Sequence, residues 1–110
     1  MIKDRIVRVK LKKHFHEQRP ISYLGKVTAF NEHWIVLEGR MVMLVRSQPS
    51  GVQVDPKPSA IMIPRENVES IRVLPDNFNL DEMRFTTEGQ QLRIIVDGQR
   101  DCYVGELGEG

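Results

Sequence analysis

The clearest pattern lies over residues 6–13, Ile-Val-Arg-Val-Lys-Leu-Lys-Lys, where Val7, Val9 and Leu11 alternate with Arg8, Lys10 and Lys12. Successive side chains of a strand point to opposite faces, so this alternation predicts a strand with one buried and one wet face. Residues 14–20 are polar and end in Pro20, which predicts a loop. Ile21 to Phe30 resumes strand character around Gly25, and a glycine inside a strand marks a sharp bend or a bulge. Asn31-Glu32-His33 forms a short turn, and Trp34 to Val45 is a long apolar strand interrupted by Gly39-Arg40. Residues 47–59 carry three prolines and a glycine, which predicts an exposed loop rather than a strand. Ala60 to Ile63 and Val68 to Leu74 are short strands separated by a turn at residues 64–67, and Pro75 ends the second. Residues 1–75 thus hold five predicted strands and form one unit.

Beyond Pro75 the character changes. Asn79 is a candidate N-cap for one helical turn over Leu80 to Phe85. Leu92 to Val96 and Asp101 to Val104 flank Asp97-Gly98-Gln99-Arg100, and Asp-Gly between apolar runs is a hairpin signal. Residues 76–110 are therefore expected to form an extension that packs on the first unit or on a neighbouring subunit.

A chain of 110 residues fits one core without help from metal or disulfides. The one cysteine, Cys102, permits no intrachain disulfide and agrees with a reducing compartment. No apolar run approaches the roughly 20 residues that span a bilayer, and no signal-peptide pattern opens the chain. The expectation is a cytoplasmic protein with no membrane partner. Charge sharpens the picture more than composition does. Residues 1–46 hold ten basic and four acidic residues, while residues 47–110 hold six and eleven. Either the basic half meets phosphates, with Arg8, Lys10 and Lys12 as a basic surface, or the two halves attract each other within or between subunits.

Two stretches carry a family resemblance. Tyr23-Leu-Gly-Lys-Val-Thr-Ala-Phe-Asn-Glu-His-Trp-Ile-Val-Leu37 has a mid-strand glycine, alternating apolar residues and a short turn. Ile61-Met-Ile-Pro-Arg-Glu-Asn-Val-Glu-Ser-Ile-Arg-Val73 has an apolar strand, an Arg-containing turn, an Asn and a second apolar strand. In order and spacing they resemble the two motifs of the Sm-like (LSm) proteins, over about residues 6–75. The resemblance implies a mainly β fold: a five-stranded, strongly bent antiparallel barrel, here with a C-terminal appendage of a helical turn and a hairpin. It also implies side-by-side assembly into a homo-oligomeric ring of five to seven subunits, and binding of single-stranded RNA at the pore-side turns.

Carried over position by position, the resemblance puts His33 at the base-stacking place and Asn31 where the family has an Asp. Ile35 replaces the Asn that reads the base edge and cannot hydrogen-bond one. Pro64 replaces the family's Arg, and Arg65 stands one place on, followed by Asn67. The RNA-binding candidates are Asn31, His33, Arg65 and Asn67, with stacking and phosphate attraction giving weak sequence preference. Turn geometry is the competing role for Asn31 and Asn67, and core or interface packing is the role expected of Trp34. The alternative function is a ring-forming structural or protein-interaction scaffold without nucleic-acid binding.

Other chemistry is sparse. His14 and His16 could offer half of a metal site, but no third ligand is near in sequence, so no metal and no cofactor is expected. Glu66 with Glu69, and Asp81 with Glu82, read as charged turn residues rather than acid–base pairs. Cys102 has no neighbouring His and reads as a structural thiol. The glycines at 105–110 lead into no helix and make no phosphate loop. No catalytic residue is assigned, and the chain is not expected to be an enzyme.

Overall fold

Strands form where alternation predicts them, and the odd and even positions of those strands serve two separate cores. The structure, a computed structural model, describes residues 2–15, 17–45 and 50–107. In chain order the strands are β1 (Ile6–Leu11), β2 (Ile21–Phe30), β3 (Trp34–Leu44), β4 (Val52–Val54), β5 (Ser59–Pro64), β6 (Val68–Val73), β7 (Phe85–Glu88), β8 (Gln91–Ile94) and β9 (Cys102–Glu106), with a 3-10 turn at Arg65–Asn67 between β5 and β6. The fold is mainly β, in two antiparallel sheets that do not close on themselves. The larger sheet runs β4-β3-β2-β1-β6, with β5 also on β3, and the smaller runs β7-β8-β9.

On the first sheet, odd-numbered Val7, Val9, Val27, Ile35, Leu37 and Ile63 bury one face together. Even-numbered Leu24, Val42 and Leu44 point the other way and join Leu92, Ile94, Val96, Cys102 and Val104 of the second sheet in a second core. Leu92, Ile94 and Val104 are essentially fully buried. Full burial of such side chains contributes about 1.5–3 kcal/mol each, which holds the second sheet onto the first. Phe78, Leu80, Met83 and Phe85 pack against the same core from the connecting segment.

Gly25 pairs with Gly39 across β2 and β3. A Cβ on Gly25 would lie 2.7 Å from the Gly39 Cα and closer still to the Glu38 carbonyl oxygen. The two glycines let the backbones approach where any side chain would part them, which is the physical reason for glycine at both places.

Three expectations are corrected. Residues 47–59 are not all loop: Val52–Val54 pairs with Val42 to Leu44. Residues 47–49 lie outside the described residues. Because β2 occupies the other edge of β3, β4 and β5 lie along the same remaining edge, interrupted at the prolines of residues 55–58. The expected helical turn over Leu80 to Phe85 does not form. The Asn79 Oδ1 does accept from the amides of Asp81 at 3.0 Å and Glu82 at 3.1 Å. The turn stops there because Phe85 is drawn into β7, opposite Ile94. The hairpin after it gains this third strand. Finally, Arg8 and Lys10 are buried, at 7% and 9% exposure, instead of forming a basic surface. The second sheet covers that face of β1. Among the described residues no helix is long and apolar enough to cross a membrane.

Candidate functional site

The turn after β2 is built by its own asparagine. The Asn31 Oδ1 accepts from the amides of His33 and Trp34, both at 2.8 Å. An Asn side chain that bonds the backbone two and three residues on is a turn-former, and this engagement occupies its acceptor. The register of β3 with β5 then places Trp34 opposite Pro64. The Arg65 amide donates to the His33 carbonyl at 2.9 Å, and the Arg65 Nη1 donates to the Asn31 carbonyl at 2.9 Å. The two turns that the sequence singled out are therefore joined.

Between them lies a groove of about 430 Å³ lined by Glu32, His33, Trp34, Pro64, Arg65 and Glu66. His33 and Arg65 meet here. The Arg65 guanidinium is held over the Phe30 ring, 4.6 Å from its centroid, a cation–π distance. His33 Nε2 lies 3.5 Å from a Glu32 carboxylate oxygen on an open surface. With two carboxylates against one guanidinium, the groove has a net acidic lining. Asn67 does not line it; its carbonyl accepts from the Lys12 amide at 2.8 Å and ties the 3-10 turn to the end of β1. Ile35, at the base-reading place, is 0% exposed in the core.

Of the two roles expected of Trp34, core or interface packing, the first is not met. It is 40% exposed and belongs to neither core cluster. Parity supplies the reason. Trp34, Val36 and Met62 are even-numbered and lie on the face that the second sheet covers elsewhere, but the second sheet reaches Val42 and Leu44 and stops short of this end. Val36 pairs with Met62, which is 60% exposed. Glu32, Trp34, Pro64 and Glu66 are the members of the site that the sequence did not assign. A tryptophan directly after an Asn-initiated turn, on the even face, was the available signal.

The basic candidates divide. Arg8 Nη1 donates to the Tyr103 carbonyl at 3.3 Å, and Lys10 pairs with Glu69 at 2.7 Å. Lys12 is exposed. Burial lowers the Arg8 pKa from its ordinary value, and neighbouring Arg72 acts in the same direction. The Arg8 Nε and the Ser22 hydroxyl have no hydrogen-bond partner among the described residues. Arg5 pairs with Asp76 at 3.0 Å. The basic first half and acidic second half thus attract each other within the chain at Arg5 and Lys10.

Cys102 is buried, and desolvation raises its thiol above the ordinary value against the opposing pull of Arg8 and Arg72. No group of three His, Cys, Asp or Glu side chains placed to hold a metal occurs among the described residues. His14 is exposed, and His16 lies outside the described residues. Comparisons with protein-family models, with curated proteins and with solved structures found no match to this chain.

Proposed function

We propose that this chain is a self-associating, Sm-like protein-interaction module, in which residues 1–75 form the bent barrel-like unit and copies join side by side into a ring of five to seven. One observation carries the reading. Among the described residues, strands β5 and β6, linked through the 3-10 turn, are each paired on one side only, β5 with β3 and β6 with β1. Each therefore keeps one edge of unpaired backbone groups, and such an edge is a template for a strand of another copy. A contact that joins the β5 edge of one copy to the β6 edge of the next is head-to-tail, and such contacts close into a ring when the rotation allows. Val73 on β6 is an exposed apolar side chain on one of these strands. Light scattering on the eluting protein is expected to give a mass of five to seven chains, with Val73→Lys shifting it toward monomer. A monomer at micromolar concentration refutes the assembly.

The scaffold reading is preferred to RNA binding on the site's chemistry. The Asn31 acceptor is engaged in its turn, Ile35 is in the core, and two carboxylates share the groove. A second reading, single-stranded RNA with weak sequence preference, keeps one observation in its favour: His33 and Arg65 flank the same open groove. Fluorescence anisotropy with oligo-U and oligo-A at low and moderate salt separates the two. RNA binding predicts similar affinities for both, falling steeply with salt and weakened by His33→Ala.

A further inference from the structure

The uncovered end of the first sheet has a definite chemistry. Trp34, Val36 and Met62 lie on its even-numbered face, and Pro64 faces Trp34 across the ladder. The patch is continuous with the groove between the turns, whose carboxylates are those of Glu32 and Glu66. Among the described residues Arg65 is the one lysine or arginine in the groove lining, and it is held on Phe30 and on the Asn31 carbonyl. The surface thus offers an aromatic platform and apolar neighbours beside two exposed carboxylates, that of Glu32 lying next to His33.

We propose that this face docks a basic peptide segment of a partner protein, one in which lysine or arginine alternates with apolar residues. The inference rests on the reading of the chain as a protein-interaction module. An extended peptide places alternate side chains on one face, so one set can lie on Val36 and Met62. The indole face of Trp34 attracts a cation by its quadrupole, and an exposed tryptophan is the best aromatic platform for this. Glu32 and Glu66 favour the same charge and repel phosphate or an acidic peptide. Charge complementarity therefore selects a basic protein segment over a nucleic acid.

Trp34 is the single tryptophan of the chain, so its emission reports on this face alone. The intact chain is titrated with a blocked Lys-Leu-Lys-Leu-Lys peptide, with its Glu-Leu-Glu-Leu-Glu counterpart and with oligouridylate, at fixed ionic strength. The basic peptide is expected to change the emission saturably, and the other two are not. Replacing both carboxylates, Glu32→Gln with Glu66→Gln, is expected to weaken the basic peptide about tenfold, the combined effect of two open ion pairs. Trp34→Ala is expected to abolish binding of a labelled basic peptide followed by anisotropy, and Trp34→Phe to retain most of it. Binding of the acidic peptide or of oligouridylate with equal strength overturns the proposal, as does basic-peptide binding indifferent to the double carboxylate variant. Light scattering on the same samples separates the two claims. A ring whose tryptophan ignores the basic peptide defeats the docking face alone, while a monomer that binds the peptide defeats the assembly alone.

Discussion

Replacing Gly25 with alanine tests the close approach of β2 and β3 at its smallest increment, a single methyl group. The added carbon would sit 2.7 Å from the Gly39 Cα and closer to the Glu38 carbonyl oxygen, both main-chain atoms. No rotamer change relieves such a contact, because nothing in it is a movable side-chain end. The strands must separate locally, which weakens the ladder around the Gly25–Gly39 pair. Overpacking costs about 1–3 kcal/mol. One disturbed hydrogen bond adds about 1 kcal/mol net, so a loss of about 2–4 kcal/mol is expected. Set against a typical stability of about 5–15 kcal/mol, this is large, and it corresponds to a fall in melting temperature on the order of 10–20 °C. Urea unfolding followed by far-UV circular dichroism gives the loss as a shift in midpoint at unchanged slope. Gly89→Asn is the control, since nothing lies within 4 Å of a Cβ there and asparagine tolerates its positive φ. A double variant, Gly25→Ala with Gly39→Ala, should cost less than the two singles added, because both methyl groups open the same gap. A Gly25→Ala protein that unfolds at the wild-type midpoint would refute the argument.

Three further outcomes follow from buried ionisable groups. Glu69→Gln leaves the buried Lys10 ammonium a neutral acceptor in place of its counter-charge and should cost about 1–2 kcal/mol in urea unfolding; the half-exposed position of Glu69 keeps the loss below that of a fully buried pair. Arg8→Met should leave stability unchanged or raise it, because it removes a desolvated guanidinium with an unpartnered Nε while keeping the aliphatic volume; a loss above about 2 kcal/mol would show that its bond to Tyr103 dominates. Burial raises the Cys102 thiol above its ordinary value in the folded protein. The unfolded chain therefore loses its proton first, so this contribution is complete below that ordinary value and is lost as pH rises toward the folded pKa. Burial raises the Tyr23 hydroxyl above its ordinary value, with Asp55 adding, and extends the decline in the same direction. Melting temperature should fall between pH 8.5 and 10.5, roughly the ordinary range of these groups, and less steeply in Cys102→Ala.

Alternation along the chain determined much of this protein by itself. Val7, Val9 and Leu11 against Arg8, Lys10 and Lys12 sufficed to place a strand, because side-chain direction in a strand alternates whatever surrounds it. Gly25 declared a special backbone position, and Asn31 a turn, since each residue type acts through its own local geometry. Tertiary structure decided what covers each face. Polarity reports what a side chain prefers, and Arg8 and Lys10 have stems long enough to lie under another layer while their ends reach Tyr103 and Glu69. The pairing of Gly39 with Gly25, the recruitment of Val52–Val54 beside Val42 to Leu44, and the entry of Phe85 into a third strand all depend on register across the sheet. The same holds for the candidate site. The sequence named His33 and Arg65, and the family resemblance alone put their turns together; 31 intervening residues separate them, and the ladder between β3 and β5 is what joins the turns. Trp34 stayed exposed because the second sheet ends before it, and that boundary is set by where the distant strands pack, which no local pattern encodes.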